Sequence, residues 1–289
     1  MKTISILVSF AAVAAIALLA GCTGERHGFT APNDLSRRAG GSGAGPVVLN
    51  EDFTGRQIFP PDNWWNLDIS EAPVDPSSPD LIDWIGPTRR LHPDFDPPPY
   101  GIPYIGVAGD QPLLPIEFVL YGGESDPGAP GRPPGYPVPL EARTLPNYIE
   151  GGVPGGGGSG DRHMLLIDRD RWLLFETWAT QWNEALQRWE AGSGAAWDMT
   201  VNGRRPEGWT SADAAGLAVF PGLIRYEDAT AGSEANHAFR CTVRATNGYV
   251  WPASHEAGST PGAPPMGTRL RLKACRCRQV TSSPCWRSS

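Results

Sequence analysis

Apolar and polar positions divide the chain into four stretches. From Ile4 to Ala20 the residues are apolar apart from Ser5 and Ser9. Residues 23 to about 50 show no hydrophobic period and are rich in Gly and small polar residues, too little apolar surface to fold alone. From about 51 to 274, short runs alternate apolar and polar between Gly and Pro punctuation, the pattern of short strands joined by turns. From Cys275 onward the alternation stops.

Within the third stretch, Ile58–Asn66 reads as a turn-rich opening, and Asp80–Ile85 as a short amphipathic helix capped by Asp80 or Ser78. Pro115–Tyr121 alternates as a strand. Gly151–Gly160 reads as a flexible loop, without the Gly-Lys-Ser/Thr of a phosphate-binding loop. His163–Trp178 predicts a hairpin around Asp168–Arg171. Gln181–Trp197 stays open: Trp182, Leu186 and Trp189 have helical spacing, but Gly192-Ser193-Gly194 breaks it. Thr210–Gly216 resembles a capped helical turn ended by glycine, and Leu217–Tyr226 two short strands around a bend. Ala235–His255 gives the clearest hairpin signal. His237, Phe239, Cys241 and Val243 share a face, Asn247-Gly248 marks a two-residue turn, and Tyr249–Trp251 returns until Pro252 forces an edge or bulge. Thr268–Ala274 is a last alternating strand. The sum predicts one all-β domain over 51–274, sandwich-like or jelly-roll-like, with long Gly/Pro loops and a few short helices.

The first stretch has a second meaning. Lys2 followed by the apolar run and then Leu19-Ala20-Gly21-Cys22 is the layout of a secretory signal ending in a lipobox. The expectation is a signal peptide over 1–21 and lipidation of Cys22, which makes the bilayer a partner and 22–50 a tether. As a flexible coil the tether would span roughly 25–35 Å. An uncleaved membrane anchor is the competing reading. Thr23 after the cysteine, rather than Asp, favours the outer membrane if the host is diderm. Composition fits an exported β domain with stiff loops: 35 Gly and 30 Pro are nearly twice the usual share of about 12%, yet 11 Trp, 9 Phe and 7 Tyr remain to fill a core. A net charge of -7 without a long basic run argues against a nucleic-acid partner.

Several longer motifs carry a resemblance. They are Asp62-Asn63-Trp64-Trp65-Asn66, Gly160-Asp161-Arg162-His163, Gly208-Trp209-Thr210-Ser211-Ala212-Asp213-Ala214-Ala215-Gly216-Leu217, Pro221-Gly222-Leu223-Ile224-Arg225-Tyr226 and Tyr249-Val250-Trp251-Pro252-Ala253-Ser254-His255. Over roughly 58–274 the chain resembles an uncharacterised family of exported bacterial proteins. The resemblance implies export and brings no activity with it. Relatives continue past the strand at Lys273, so the expectation for 275–289 is a shifted reading frame after Ala274. A disulfide-stapled terminus is the alternative.

Candidate chemistry is sparse. No Gly-x-Ser-x-Gly elbow is present, and Ser211 and Ser159 read as a cap and a loop residue. Asp168 and Asp170 lack a calcium-loop pattern and read as a solvated hairpin tip. Cys241 reads as a core thiol. Cys275, Cys277 and Cys285 lack paired zinc spacing, so neither metal nor cofactor is expected. Counting back from the Asp168–Arg171 turn places His163 opposite Glu176 on the face that carries Leu165, Ile167, Trp172 and Leu174. An imidazole and a carboxylate on an apolar face suit acid/base chemistry, and a structural hydrogen bond closing the core is the alternative. The same counting sets Arg240 opposite His255, with Asp213 as a further member. Trp64, Trp65, Trp209 and Trp251 lie beside turns and are candidate exposed platforms for sugar rings. The functional expectation is an anchored protein that binds or processes an envelope or extracellular carbohydrate. The alternative is a non-catalytic structural or adhesion lipoprotein.

Overall fold

The computed structural model describes residues 5–9, 45–90, 92, 98–157, 159–230 and 235–272. In chain order the elements are β1 (Ser5–Ser9), β2 (Val48–Leu49), α1 (Ser78–Ile85), β3 (Tyr104–Val107), β4 (Ile116–Phe118) and α2 (Leu140–Thr144). There follow β5 (Met164–Asp168), β6 (Leu173–Trp178), β7 (Gln181–Asn183), β8 (Arg188–Ala191), β9 (Ser193–Asp198), α3 (Tyr226–Ala229), β10 (Phe239–Thr242) and β11 (Arg269–Arg271). The fold is β-rich, with few and short helices.

The strands form three mixed sheets. The largest has the order β2-β3-β5-β6-β9, with β3 and β5 parallel and the other pairs antiparallel. β5 and β6 are apolar at nearly every position because both faces are covered. Leu165, Ile167 and Leu174 join one core with Trp65, Trp197, Leu217 and Phe220. Met164, Leu166 and Phe175 join another with Tyr136, Val138, Ile149 and Trp189. A second sheet, β4-β8-β7, lies over this second core through Trp189, with Ile116, Phe118 and Trp182 packed against it. The third is β10-β1-β11, in which β1 runs parallel to β10 and antiparallel to β11. β10 and β11 do not pair with each other, and the strand between them lies in the segment read as the leader.

The β5–β6 hairpin forms, but two residues out of the expected register: Leu165 pairs with Glu176 and Asp168 with Leu173. The cause is local. The Asp168 carboxylate accepts the backbone N–H groups of Asp170 and Arg171 at 3.1 and 2.9 Å and the Arg171 guanidinium at 2.9 Å. This side-chain turn closes before Trp172, which leaves the ladder at φ 57°. Trp172 lies instead beneath Arg56, whose Cζ is 3.6 Å from the ring centroid. Asp168 is therefore buried and engaged rather than solvated.

Other expectations change as well. The helix α1 is capped at Ser77, not at Asp80 or Ser78; Asp75 holds both the N–H and the hydroxyl of Ser77. Gln181–Trp197 is β7, β8 and β9 rather than helix, and Trp182 faces Trp189 across the β7–β8 pair. Leu217–Tyr226 contains a 3₁₀ turn at Phe220–Gly222 and leads into α3, with no strand. Within the expected flexible loop, Pro154–Gly156 is a 3₁₀ turn whose two glycines are buried. β2 lies inside the segment read as tether.

The 235–255 hairpin does not form. β10 pairs with β1, setting Leu7 against Arg240. The return segment carries only isolated bridges, Asn247 to Ser259 and Tyr249 to Met266. Arg240 and His255 are therefore not opposed. Cys241 is a buried thiol, packed with Val243, Ile85 and Leu270. No helix among the described residues is long and apolar enough to cross a membrane. Cys22 and residues 275–289 lie outside the described residues.

Candidate functional site

A cavity of about 480 Å³ opens where the end of β6 and the start of β9 meet the 210–214 turn and the 255–259 segment. Its aromatic walls are Tyr121, Trp178 and His255. The Tyr121 ring centroid stands 6.4 Å from both neighbours. Ser193, Thr210, Ser211, Ser259 and Glu256 complete the lining; the Ser193 hydroxyl donates to Ser211 O at 2.6 Å.

Local chemistry builds each wall. Trp178 ends β6, and its indole N–H donates to Asp161 Oδ1 at 3.2 Å. Gly192 lies against that ring: a Cβ there would approach Trp178 Cε3 to 2.6 Å. The 210–216 segment is a turn rather than a helical one. Ser211 Oγ accepts the Asp213 N–H and donates to Leu217 O at 2.6 Å. Gly216 closes it at φ 71°, where a Cβ would meet Ser254 Oγ at 2.0 Å, so only glycine fits.

His163 forms the floor. Its Nδ1 is 2.7 Å from Glu150 Oε2 and its Nε2 is 3.0 Å from Ala212 O. Both partners are acceptors, so both ring nitrogens carry protons. Burial works against that charge, but the Glu150 carboxylate and its hydrogen bond overcome it and raise the His163 pKa to about 9. Burial also pushes Glu150 upward, and the imidazolium more than compensates, leaving its pKa lowered.

Glu176 shares the His163 face but does not bond to it. Fully buried, it accepts the Val219 N–H at 2.8 Å and the Phe220 N–H at 2.7 Å, capping the 3₁₀ turn at Phe220–Gly222. Burial raises its pKa to about 7, against the pull of those two N–H groups and of His163. Asp213 and Arg240 form a buried ion pair, Oδ1 to Nη2 3.5 Å. The Asp213 charge pushes Glu176 up further.

Of the five acid/base candidates, His163, Glu176, Asp213 and Arg240 are thus gathered into one buried charge network. Only His163 and His255 line the cavity. The expected His163–Glu176 pair is replaced by His163–Glu150, because the two-residue register shift moves Glu176 opposite Leu165. His255 is oriented by its Nδ1, 2.8 Å from Ala214 O. That carbonyl accepts from Nδ1, and Nε2 lies 3.9 Å from Glu124 Oε2.

The tryptophan platforms divide. Trp64 and Trp65 are core residues, the latter 1% exposed. Trp209 is half-buried with Arg205 5.3 Å over its ring. Trp251 alone is exposed, at 60%, edge-on to Trp64. Sequence reasoning missed Tyr121, Trp178, Glu150 and Asp161. Asp161 lay in view in the Gly160-Asp161-Arg162-His163 motif, and the corrected hairpin register extrapolates Trp178 to the position opposite His163. Nothing local marks Tyr121 or Glu150. Among the described residues no cluster of His, Cys, Asp and Glu is arranged to hold a metal ion. Comparison with protein-family models, with curated proteins and with solved structures returns no match.

Proposed function

We propose that this chain is an exported lipoprotein, anchored through Cys22, whose cavity binds a carbohydrate of the cell envelope or its surroundings. The observation that carries the reading is the grouping of Tyr121, Trp178 and His255 with Ser193, Thr210, Ser211, Ser259 and Glu256 in one cavity lining. Sugar rings present apolar C–H faces to aromatic rings and hydroxyls to polar groups, and the lining holds residues of both kinds in a cavity within the size range of about 300–1,000 Å³ typical of ligand sites. Binding is favoured over cleavage. His163 has both nitrogens engaged, and Glu176 is spent on two backbone N–H groups away from the cavity. The same proposal takes the fold as a β-sandwich, on the packing of β4-β8-β7 over the Leu166/Phe175 face.

A retention assay on insoluble polysaccharides tests the binding reading. Wild-type protein is expected to be retained on at least one glycan, and Trp178→Ala to weaken retention about tenfold. Release of reducing ends would make the protein an enzyme, and failure on every glycan would favour the structural role. For the anchor, Cys22→Ser should move the protein from the membrane to the soluble fraction; unchanged fractionation defeats it.

A further inference from the structure

We propose that the cavity selects a positively charged, amine-bearing sugar over neutral N-acetylated and acidic ones. The inference rests on the carbohydrate reading above and adds the charge of the ligand. No Lys or Arg lines the cavity. The two cations behind its floor are already matched, His163 by Glu150 at 2.7 Å and Arg240 by Asp213 at 3.5 Å. A carboxylate or sulfate on the ligand would find no free counter-charge there.

Among the lining residues, Glu256 carries a negative charge and the aromatic rings offer π faces. Glu256 is exposed and lines the mouth. His255 lines the wall with its Nδ1 committed to Ala214 O. The Glu124 carboxylate lies 3.9 Å from His255 Nε2 and accepts the Thr210 N–H at 3.1 Å, adding a second negative charge beside the wall. The Trp178 indole N–H is occupied by Asp161, so the ring meets a ligand through its π system. Tyr121 and Trp178, tilted at 54° to each other, form a corner of two electron-rich faces. An ammonium group is attracted to such faces within about 6 Å and supplies donors to the Glu256 carboxylate.

Calorimetry with three length-matched oligosaccharides decides it: glucosamine, N-acetylglucosamine and galacturonate oligomers, with oligolysine as a non-sugar amine. The glucosamine series should bind about tenfold more tightly than the N-acetylated one, and galacturonate not measurably. Glu256→Gln, on an exposed side chain, should shrink the gap between the two series to about twofold. Equal affinity for the glucosamine and N-acetylated series, or tighter galacturonate, overturns the charge selection and leaves sugar binding standing. Oligolysine binding as tightly as the glucosamine series overturns the sugar requirement. No binding by any probe overturns both readings.

Discussion

The β5–β6 pair and the 235–272 segment looked alike as patterns and fold differently. Both alternate, and both carry turn residues at the right spacing. In β5–β6 both faces are apolar, both are covered, and Asp168 ties the turn with three bonds. In 235–272 the return segment exposes Val250 and Trp251, and Pro252 has no N–H to give a ladder. Its Asn247-Gly248 pair closes no hairpin turn: the Gly248 N–H donates to Gly258 O and its carbonyl accepts from the Met266 N–H. A turn signal proposes a hairpin; burial of both returning faces is what holds one.

If that contrast is right, removing residues 1–21 should divide the two regions most sharply. β10 and β11 each hydrogen-bond to β1 and not to each other. Amide exchange at 239–242 and 269–271 should accelerate about a hundredfold or more, while Leu166 and Phe175 amides stay protected. Equal protection in both regions would show that β10 and β11 do not depend on β1.

Truncating the core face comes next. Leu166→Ala, at a fully buried position in β5, should lower unfolding free energy by about 2–5 kcal/mol in denaturant titration. A loss near zero would mean the second core is loosely packed.

The buried charges predict a pH dependence of the same region. Glu176 is raised from 4.5 to about 7 and His163 from 6.5 to about 9. In both windows the folded state binds more protons than the unfolded one, so stability falls as pH rises. The His163 contribution is fully present below about 6.5 and gone above about 9; that of Glu176 is present below 4.5 and gone above about 7. The upper window should be worth on the order of 2–3 kcal/mol. His163→Gln should flatten the slope between pH 7 and 9; an unchanged slope places the proton elsewhere.

The smallest effect sharpens the contrast from the other side. Val250→Ala, on the half-exposed return segment, should change stability by no more than about 0.5 kcal/mol. A loss comparable to Leu166→Ala would mean that this segment is held as a strand after all.

Local pattern by itself determined the β-rich character, a strand within Pro115–Tyr121 (Ile116–Phe118) and one at Arg269–Arg271, the helix near Asp80–Ile85 and the buried thiol of Cys241. Each follows from period, turn chemistry or residue size within about ten positions. It also named His163, Glu176, Asp213 and Arg240, since charged residues on apolar faces must find partners. Which partners they found was decided only by tertiary structure. Glu150 reaches His163 from thirteen residues away, and the N–H groups of Val219 and Phe220 reach Glu176 from more than forty. One side-chain turn at Asp168 set the register that separated Glu176 from His163. Trp64 and Trp65 were drawn inward by a core assembled from distant segments, while Trp178 and Tyr121 came to line the cavity. Hydrophobic period reports which face of an element is buried, but not what covers it, because the covering side chains come from elsewhere in the chain.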